Sequence, residues 1–367
     1  MRPVVFLVCP FNIDPPFTGG ATRINGMRNV LSKEFQVITL APVYTTLKPA
    51  PHSTVEPNYH VFGRGLRREQ FYCPSLISSA RRMAKRDKPA AVIAASYAAT
   101  LNAHRIAKAL DIPLVVDHFN VEHERFQTMG RSIVAKILYA VERYSMRNAS
   151  LAFAVSAHDQ EVLQAMNPKV PVVLAANGFD PTVFHPDPKS GQRLRERLET
   201  LEATKVALFA GRLDYGPNRT AFWTIVKDLA PAFPNIQFWI VGPNAPAAEV
   251  PPNVRVLGPV QETASYIRAA DIFLAPLWSG GGTKLKVIEA AACARPILTT
   301  PHGVEGLPPR LAQTMTVCPN PQAFQAALKV QPGSFKVPCR YDETAIQSFS
   351  WQSTMRLATD HLKELCQ

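Results

Sequence analysis

Residues 279–300, Ser279-Gly-Gly-Gly-Thr-Lys-Leu-Lys-Val-Ile-Glu-Ala-Ala-Ala-Cys-Ala-Arg-Pro-Ile-Leu-Thr-Thr300, carry the strongest structural signal in this chain of 367 residues. A glycine run precedes an apolar helical segment with Lys284 and Lys286 at its start and Glu289 inside it. Glycine lets a backbone come close to a ligand, and the free N–H groups of a helix start attract phosphate oxygens. A carboxylate at 289 can accept hydrogen bonds from a ribose diol. The pattern predicts a cradle for a diphosphate and a sugar; the alternative is a glycine loop before a buried helix that binds nothing.

The rest of the chain alternates short apolar runs with helical segments. We predict buried parallel strands in the first half at residues 4–8, 37–40, 91–94, 114–116, 151–155 and 172–174. A proline-rich polar stretch at 180–191 has the composition of a linker. The alternation then restarts, with predicted strands at 206–209, 236–241, 254–257, 272–275, 297–300 and 316–318. The sequence therefore predicts an α/β protein with two doubly wound domains, whose ligands bind at the carboxyl ends of the strands.

Composition excludes several classes of protein. With 47% hydrophobic residues, the chain can bury substantial cores. It has no run of 18 apolar residues, so we expect no membrane-spanning helix, and its short apolar start predicts a strand rather than a signal peptide. The six cysteines form no CxxC pair, which favours neither a zinc site nor a disulfide framework and indicates a reducing, cytoplasmic setting.

The positive charge lies mainly in the first half of the chain. The net charge is +12, of which the first 175 residues, with 21 Lys and Arg against 12 Asp and Glu, carry +9. The basic residues concentrate at 64–68 and 81–88. Such a cluster suits anionic lipid headgroups, nucleic acid or an acidic substrate, and the alternative is a solvated basic face. No zinc-finger or RNA-binding aromatic motif accompanies the charge, so we expect a membrane surface and no nucleic acid.

Polar loops follow several of the predicted strands. Gly19 and Gly20 follow the first strand, and Gly242 follows the strand at 236–241. These glycines predict either a close approach of backbone to a phosphate or sugar, or plain turns. Arg212 follows the strand at 206–209, where its guanidinium can fork onto phosphate oxygens or form a surface salt bridge.

The loop at 117–124, Asp-His-Phe-Asn-Val-Glu-His-Glu, follows the strand at 114–116. Carboxylates and imidazoles in this place suit hydroxyl binding and proton transfer, and the alternative is a helix start rich in capping residues. We therefore predict Asp117, His118 and Glu122 as catalytic candidates. His118 and His123 also suggest a metal site, but the chain has no HExxH or DxD motif, so we expect no metal.

Taken in order, these residues resemble a retaining GT-B glycosyltransferase of family 4. The resemblance covers nearly the whole chain and is strongest in Gly211-Arg-Leu-Asp-Tyr-Gly-Pro-Asn, Ile240-Val-Gly-Pro, Ala275-Pro-Leu-Trp followed by residues 279–290, and Gly303-Val-Glu-Gly-Leu. It implies two Rossmann-like domains that face a central cleft. Residues 1–178 would bind the acceptor, residues 179–349 would bind the donor, and a helix over 350–367 would cross back to the first domain.

The resemblance also implies a role for each donor-site residue. Arg212 and the segment 282–284 would contact the diphosphate, Glu289 the ribose, and the backbone near Val260 the base. Gly19 and Gly20 would approach the phosphate from the first domain. The full implied donor set is Gly19, Gly20, Arg212, Gly242, Val260, Gly281, Gly282, Thr283, Lys284, Lys286 and Glu289.

Three positions depart from the family pattern. Gly281 stands where the family has the first Glu of an E-x7-E motif, which contacts the donor sugar. Pro217 stands where the family has a lysine, and we expect Lys284 or Lys286 to supply that cation. Phe119 aligns with a family histidine, and we expect the neighbouring His118 to take its role.

The implied function is retaining transfer of a sugar from a nucleoside-diphosphate sugar to a polysaccharide, glycolipid or lipid-linked acceptor, without a cofactor or metal. We expect a cytoplasmic protein that is peripheral on the inner face of the cell membrane. The alternatives are another GT-B enzyme, such as a sugar-nucleotide epimerase or a phosphorylase, and a non-catalytic nucleotide-binding protein of the same fold. A nicotinamide oxidoreductase is disfavoured because the first glycine loop lacks GxGxxG.

Overall fold

The computed structural model describes residues 2–13, 19–43, 58–280, 283–330 and 339–367. The chain divides into two compact units. The first unit combines Met1–Gly178 with Trp351–Gln367, and the second is Phe179–Ser350.

The first unit is built on a seven-stranded sheet in which every pairing is parallel. Its strands are β1 Val4–Val8, β2 Gln36–Pro42, β3 Tyr59–Phe62, β4 Ala91–Ala95, β5 Leu114–Asp117, β6 Leu151–Ala154 and β7 Val172–Leu174. They lie in the order β3-β2-β1-β4-β5-β6-β7. Both faces of the sheet are covered, so Val5 and Leu7 of β1 enter one core while Phe6 and Val8 enter the other. This two-sided burial explains why the strands are continuous apolar runs in the sequence.

Helices cover both faces of the first sheet. They are α1 Gly19–Leu31, α2 Pro74–Asp87, α3 Thr100–Leu110, α4 Glu122–Thr128, α5 Ser132–Asn148 and α6 Ala157–Met166. Side chains of α1 belong to one core, and side chains of α2, α3, α5 and α6 belong to the other. One helical layer of the unit is therefore formed by α2, α3, α5 and α6.

The second unit repeats the plan with a six-stranded sheet, again parallel at every pairing. Its strands are β8 Lys205–Ala210, β9 Ile236–Val241, β10 Val254–Gly258, β11 Ile272–Ala275, β12 Ile297–Thr299 and β13 Thr316–Val317, in the order β10-β9-β8-β11-β12-β13. Its helices are α7 Pro188–Arg197, α8 Gly216–Trp223, α9 Ala264–Ala269, α10 Leu285–Ala292, α11 Pro309–Ala312, α12 Pro321–Val330 and α13 Glu343–Gln347. The predicted α/β class with two doubly wound domains is confirmed.

The structure differs from the sequence-based expectation at several segments. The stretch expected as a linker, 180–191, includes the start of α7, which the Asp187 side chain caps by accepting a hydrogen bond from the Ser190 N–H at 3.1 Å. Strand β3 was not expected, and helix α4 corresponds to the helix start that was the alternative interpretation of the loop at 117–124. The expected final helix is two helices, α14 Trp351–Thr354 and α15 Arg356–Leu365.

The chain end packs on the first unit through Trp351. A Cβ atom placed on Gly26 of α1 would lie 2.2 Å from the indole ring of Trp351. Met355, Ala358 and Leu362 follow in the same core. The Trp351 indole therefore packs directly against the backbone of α1 at Gly26.

We predict that Gly26→Ala lowers the free energy of unfolding by about 1–3 kcal/mol, because the added methyl overpacks the Trp351 contact. Denaturant unfolding measures the change. Gly19→Ala, in the same helix, is the matched control, since no atom of the residues that the structure describes lies within 4 Å of its added Cβ. A Gly26→Ala protein as stable as the Gly19→Ala protein would contradict the assigned packing.

Candidate functional site

The carboxyl ends of β8 and β9 form the centre of the candidate site in the second unit. The N–H of Gly211 donates to the carbonyl of Val241 at 2.9 Å, and the N–H of Gly242 donates to that of Gly258 at 2.8 Å. A Cβ on Gly242 would lie 2.0 Å from the carbonyl oxygen of Gly211. The two turns therefore pass each other at a distance that no side chain at 242 would permit.

Lys286 of α10 lies next to the turn that follows β8, which we call the β8 turn. Its Nζ donates to Oδ1 of Asn218 at 2.7 Å, and Nδ2 of Asn218 donates to the carbonyl of Arg212 at 2.9 Å. The same Nζ lies 4.7 Å from the centroid of the Phe209 ring. A Cβ on Gly211 would lie 2.5 Å from this ammonium. The glycine at 211 thus makes room for a cation directly below the turn.

The charges of Lys286 and Glu289 are both disfavoured by their surroundings. Burial lowers the pKa of Lys286 to about 8 and raises the pKa of Glu289 to about 7, and each group partly offsets the shift of the other. Near pH 8 the ammonium of Lys286 is thus close to half titrated. A ligand with negative charge at this point would restore its proton, which makes the site responsive to anions.

Arg212 and Lys284 contribute two further cations. The Arg212 guanidinium binds both carboxylate oxygens of Asp214, at 2.6 and 2.7 Å, and this pair lowers the pKa of Asp214 to about 2. Lys284 Nζ donates to the carbonyl of Gly280 at 2.9 Å and lies 3.8 Å from a carboxylate oxygen of Glu305. Arg212 is half exposed, so its planar guanidinium is accessible from solvent.

The remaining donor candidates have less defined surroundings. Thr283 is exposed, and its hydroxyl would lie 2.7 Å from a Cβ placed on Gly306. Val260 is half buried and packs against the core of the second unit, two residues beyond β10. Gly281 and Gly282 lie outside the described residues. The structure thus brings Arg212, Lys286 and Gly242 together around the β8 and β9 turns, and it places Lys284 at the preceding glycine loop.

In the first unit, Asp117 at the end of β5 is fully buried and paired. Nε of Arg23 donates to one carboxylate oxygen at 2.9 Å, and a terminal nitrogen of Arg23 donates to the other. Another Arg23 nitrogen donates to Oδ1 of Asn177 at 3.0 Å. Arg23 of α1 thus joins the ends of β5 and the segment after β7, a role that sequence analysis missed. An arginine one turn after the Gly19-Gly20 pair, on the buried side of a helix, was the available signal.

His118 is buried, with 1% of its surface exposed. Among the described residues, neither ring nitrogen has a hydrogen-bond partner, and burial lowers the pKa to about 4. The next residue, Phe119, is half buried and faces Gly20, whose added Cβ would lie 3.2 Å from the ring. The side chain beside the first glycine loop is therefore Phe119, and His118 is neutral at physiological pH.

Glu122 begins α4 and accepts from the Arg125 guanidinium at 3.0 and 3.1 Å. Its own N–H donates to Oε1 of Glu142 at 2.6 Å, and Oε2 of Glu142 lies 2.6 Å from Nδ1 of His123. Burial raises the pKa of Glu142, whose side chain ties α5 to the first turn of α4. Sequence analysis missed the contact of Glu142 with Glu122 and His123, because a glutamate inside a helix gives no sign that it faces another helix.

Neither a metal cluster nor a membrane span is found in the part of the chain that the structure describes. No group of three or more His, Cys, Asp and Glu side chains converges within the described ranges. No described helix combines the length and the apolar character needed to cross a bilayer.

We predict that His118 makes the protein less stable in acid. Its folded-state pKa lies below its ordinary value of 6.5, so the unfolded chain binds a proton first, and stability falls as the pH drops from 6.5 to 4. The full effect is of order 3 kcal/mol. The difference in unfolding free energy between wild type and His118→Gln should shrink across this range. His158→Gln is the control, because a hydrogen bond to Glu124 raises the pKa of His158. The stability that this pair contributes is therefore complete below pH 6.5 and is lost only as the pH rises above that value. A difference for His118→Gln that does not change with pH would contradict the burial of a neutral imidazole.

Two family models match the chain. The model described as Glycosyltransferase Family 4 matches residues 17–183, and the model described as Glycosyl transferases group 1 matches residues 204–330. The first match covers most of the first unit and extends five residues into the second. The second match covers the part of the second unit from β8 to α12. Comparison with curated protein sequences gave no match.

Solved structures with this fold include several glycosyltransferases. Sucrose-phosphate synthase from Thermosynechococcus elongatus is 16% identical with a TM-score of 0.73, covering 100% of this chain and 99% of that one. Anabaena HepE in complex with UDP and glucose is 16% identical with a TM-score of 0.69, covering 99% and 100%. The α,α-trehalose-phosphate synthase (UDP-forming) from Burkholderia vietnamiensis is 12% identical with a TM-score of 0.64, covering 100% and 98%. At these identities the likeness establishes a common fold.

Both halves of the chain thus match glycosyltransferase models, and the two parallel sheets have the GT-B arrangement of strands and helices. The chain belongs to the family 4-like glycosyltransferases of the GT-B class.

Proposed function

We propose that this glycosyltransferase moves a sugar, with retention of anomeric configuration, from a nucleoside-diphosphate sugar to a hydroxyl of a polysaccharide, glycolipid or lipid-linked acceptor. The observation that carries the proposal is the set of cations around the β8 turn, with Lys286 held by Asn218 at 2.7 Å below a glycine. A buried ammonium of lowered pKa is stabilised by an anionic ligand, and a diphosphate supplies that charge. UDP is the first nucleotide to test, since the similar HepE structures are complexes with UDP and with UDP-glucose.

The donor would bind along the start of α10 and the turns after β8 and β9. Lys286, Lys284 and Arg212 would neutralise the diphosphate, with Thr283 and the backbone at 281–282 and 242 close to its oxygens. Glu289 would accept from the ribose hydroxyls, and the backbone near Val260 would face the base. Asp214 accepts two hydrogen bonds from the Arg212 guanidinium and so fixes the orientation of its plane before a ligand binds.

The reaction that we propose breaks the bond between the anomeric carbon and the phosphate oxygen. The electron pair of that bond leaves with the nucleoside diphosphate, whose growing charge Arg212 and Lys286 would stabilise. The acceptor hydroxyl attacks the anomeric carbon from the face that the phosphate leaves, and its proton passes to the departing phosphate oxygen. Transfer of that proton to Asp117, His118 or Glu122 is less favoured. Asp117 and Glu122 are paired with arginines, and the imidazole of His118 is buried. In this reaction the bonds, charges and proton are all accounted for without a metal or cofactor.

The acceptor would be membrane-associated and the protein cytoplasmic, peripheral on the inner face of the membrane. Support comes from the basic character of the first unit, where α2 exposes Arg81, Arg82, Lys85 and Arg86. Such a surface is attracted to anionic lipids and to lipid-linked phosphates. No nucleic-acid partner is proposed.

One observation favours a second candidate, a non-catalytic nucleotide-binding protein. Glycine occupies position 281, where family members carry a sugar-contacting glutamate. Such a protein would bind nucleotide and show neither transfer nor hydrolysis of any nucleotide sugar. Loss of an acidic sugar contact alone alters donor choice without removing the cations, so we favour the enzyme.

We predict that Arg212→Ala lowers kcat/KM for sugar transfer by about 10- to 100-fold, since a charged hydrogen bond to the leaving group contributes about 1.5–3 kcal/mol. The protein should melt within a few degrees of wild type, because the guanidinium lies at the surface. Arg219→Ala, an exposed arginine on α8, is the matched control and should keep full activity. If Arg212→Ala is fully active, the assigned role is wrong.

We also predict that the product keeps the anomeric configuration of the donor and that EDTA leaves the rate unchanged. NMR of the newly formed anomeric proton measures the first, and an initial-rate assay with and without chelator measures the second. Inversion of configuration would refute the retaining mechanism. Activity that EDTA abolishes and Mg²⁺ or Mn²⁺ restores would refute the metal-free mechanism.

A further inference from the structure

We propose that the outer face of α5, together with the turn before it, docks the protein on an anionic membrane surface. Large apolar side chains on this face are turned to solvent: Ile133 is 79% exposed, Ile137 is 60% exposed and Met129 is 52% exposed. Most apolar residues of the unit are buried, so three exposed ones spaced four residues apart in sequence indicate a partner.

The helix has two apolar faces, and its own unit uses one of them. Ala135, Leu138 and Met146 are buried toward the unit. Ile133 and Ile137 are one turn apart on the opposite side, and Tyr144, two turns further on, is also exposed. Over its 17 residues α5 is about 25 Å long, enough to present this stripe along a flat surface. We call Met129, Ile133, Ile137 and Tyr144 the α5 stripe.

Basic residues surround the α5 stripe. Arg131, Lys136, Arg143 and Arg147 are all exposed. The one acidic residue in the helix, Glu142, is buried and bonded to the start of α4, so it does not offset them. Apolar side chains within a cationic rim are typical of helices that lie in the interface of an anionic bilayer.

The same charges argue against other occupants. A second copy of this chain would bring two sets of four cations against each other, which is repulsive, and Glu124, which lines the same cavity as Lys136, is already paired with His158. Three of the four side chains in the α5 stripe are aliphatic or thioether, so Tyr144 is the one stacking surface it offers to nucleic-acid bases. An anionic lipid surface satisfies both features, since its headgroups pair with the cations and its acyl chains accept the isoleucines. This inference rests on the membrane association in the proposed function but not on the chemistry of sugar transfer.

The test is vesicle binding by the full chain, measured by flotation with phosphatidylglycerol-containing and with pure phosphatidylcholine vesicles. We expect binding to the anionic vesicles that weakens with salt. Ile133→Ser/Ile137→Ser should weaken it at least about tenfold, because each isoleucine loses apolar burial in the bilayer. Lys136→Gln/Arg143→Gln should weaken it about fivefold per charge removed. Both double variants change exposed positions and should melt like wild type.

Leu201→Ser is the matched control. Leu201 is 75% exposed, as much as Ile133, but it lies in the second unit between Glu199 and Glu202. Its substitution should leave vesicle binding unchanged. Wild-type binding by Ile133→Ser/Ile137→Ser would overturn the proposal, and so would equal losses in Leu201→Ser. A dimer that the double variant disrupts, in a protein that binds no vesicles, would also overturn it and assign the face to a second copy.

Turnover of nucleotide sugar in the same samples separates the two proposals. If wild type and Ile133→Ser/Ile137→Ser turn over donor equally in detergent but only wild type floats, the docking proposal holds. If no protein turns over any donor while the pattern of flotation is as expected, the docking face stands and the proposed reaction fails.

Discussion

The close passage of two backbone turns organises the second unit. The carbonyl of Gly211 occupies the space that a side chain at 242 would need, and Lys286 occupies the space that a side chain at 211 would need. Three elements that are distant in sequence, β8, β9 and α10, can meet at one point because residues 211 and 242 are glycines and have no Cβ. Asn218 then links the ammonium of α10 to the carbonyl of Arg212, which fixes the turn that carries the guanidinium. The same contacts that build this corner of the sheet bring its cations together.

The electrostatic balance of that corner is incomplete within the protein. Lys286 is desolvated, its hydrogen-bond partner Asn218 is neutral, and Glu289 offsets only part of the cost. The first unit differs, because Arg23 there is matched by both carboxylate oxygens of Asp117. A buried cation paired with both oxygens of a carboxylate, such as Arg23, serves structure, whereas the half-buried ammonium of Lys286 is held by a neutral amide and is available to a ligand. This contrast is the physical reason to assign anion binding to the second unit.

The sequence predicted the strands well, since strands buried on both faces are apolar at every position. The prediction failed where this condition is not met. Strand β3 is an edge strand in which only Tyr59 is buried, and α7 begins inside a proline-rich stretch that resembles a linker. For the site, the cations of residues 284–286 could be placed because helix starts and glycine runs have a local signature. The pairing of Asp117 could not be predicted, because it depends on Arg23, 94 residues away.

The central claim is that Lys286 meets the diphosphate of the donor, and proton uptake on ligand binding tests it most directly. Calorimetric titration of the full chain with UDP at pH 8, in two buffers of different ionisation enthalpy, counts the protons exchanged. Because Lys286 has a pKa of about 8 without ligand, the account predicts uptake of roughly half a proton per UDP bound. That uptake should vanish in Lys286→Met and persist in Lys329→Met, which changes an exposed lysine of α12. Binding without proton uptake, or uptake that survives in Lys286→Met, would contradict the account.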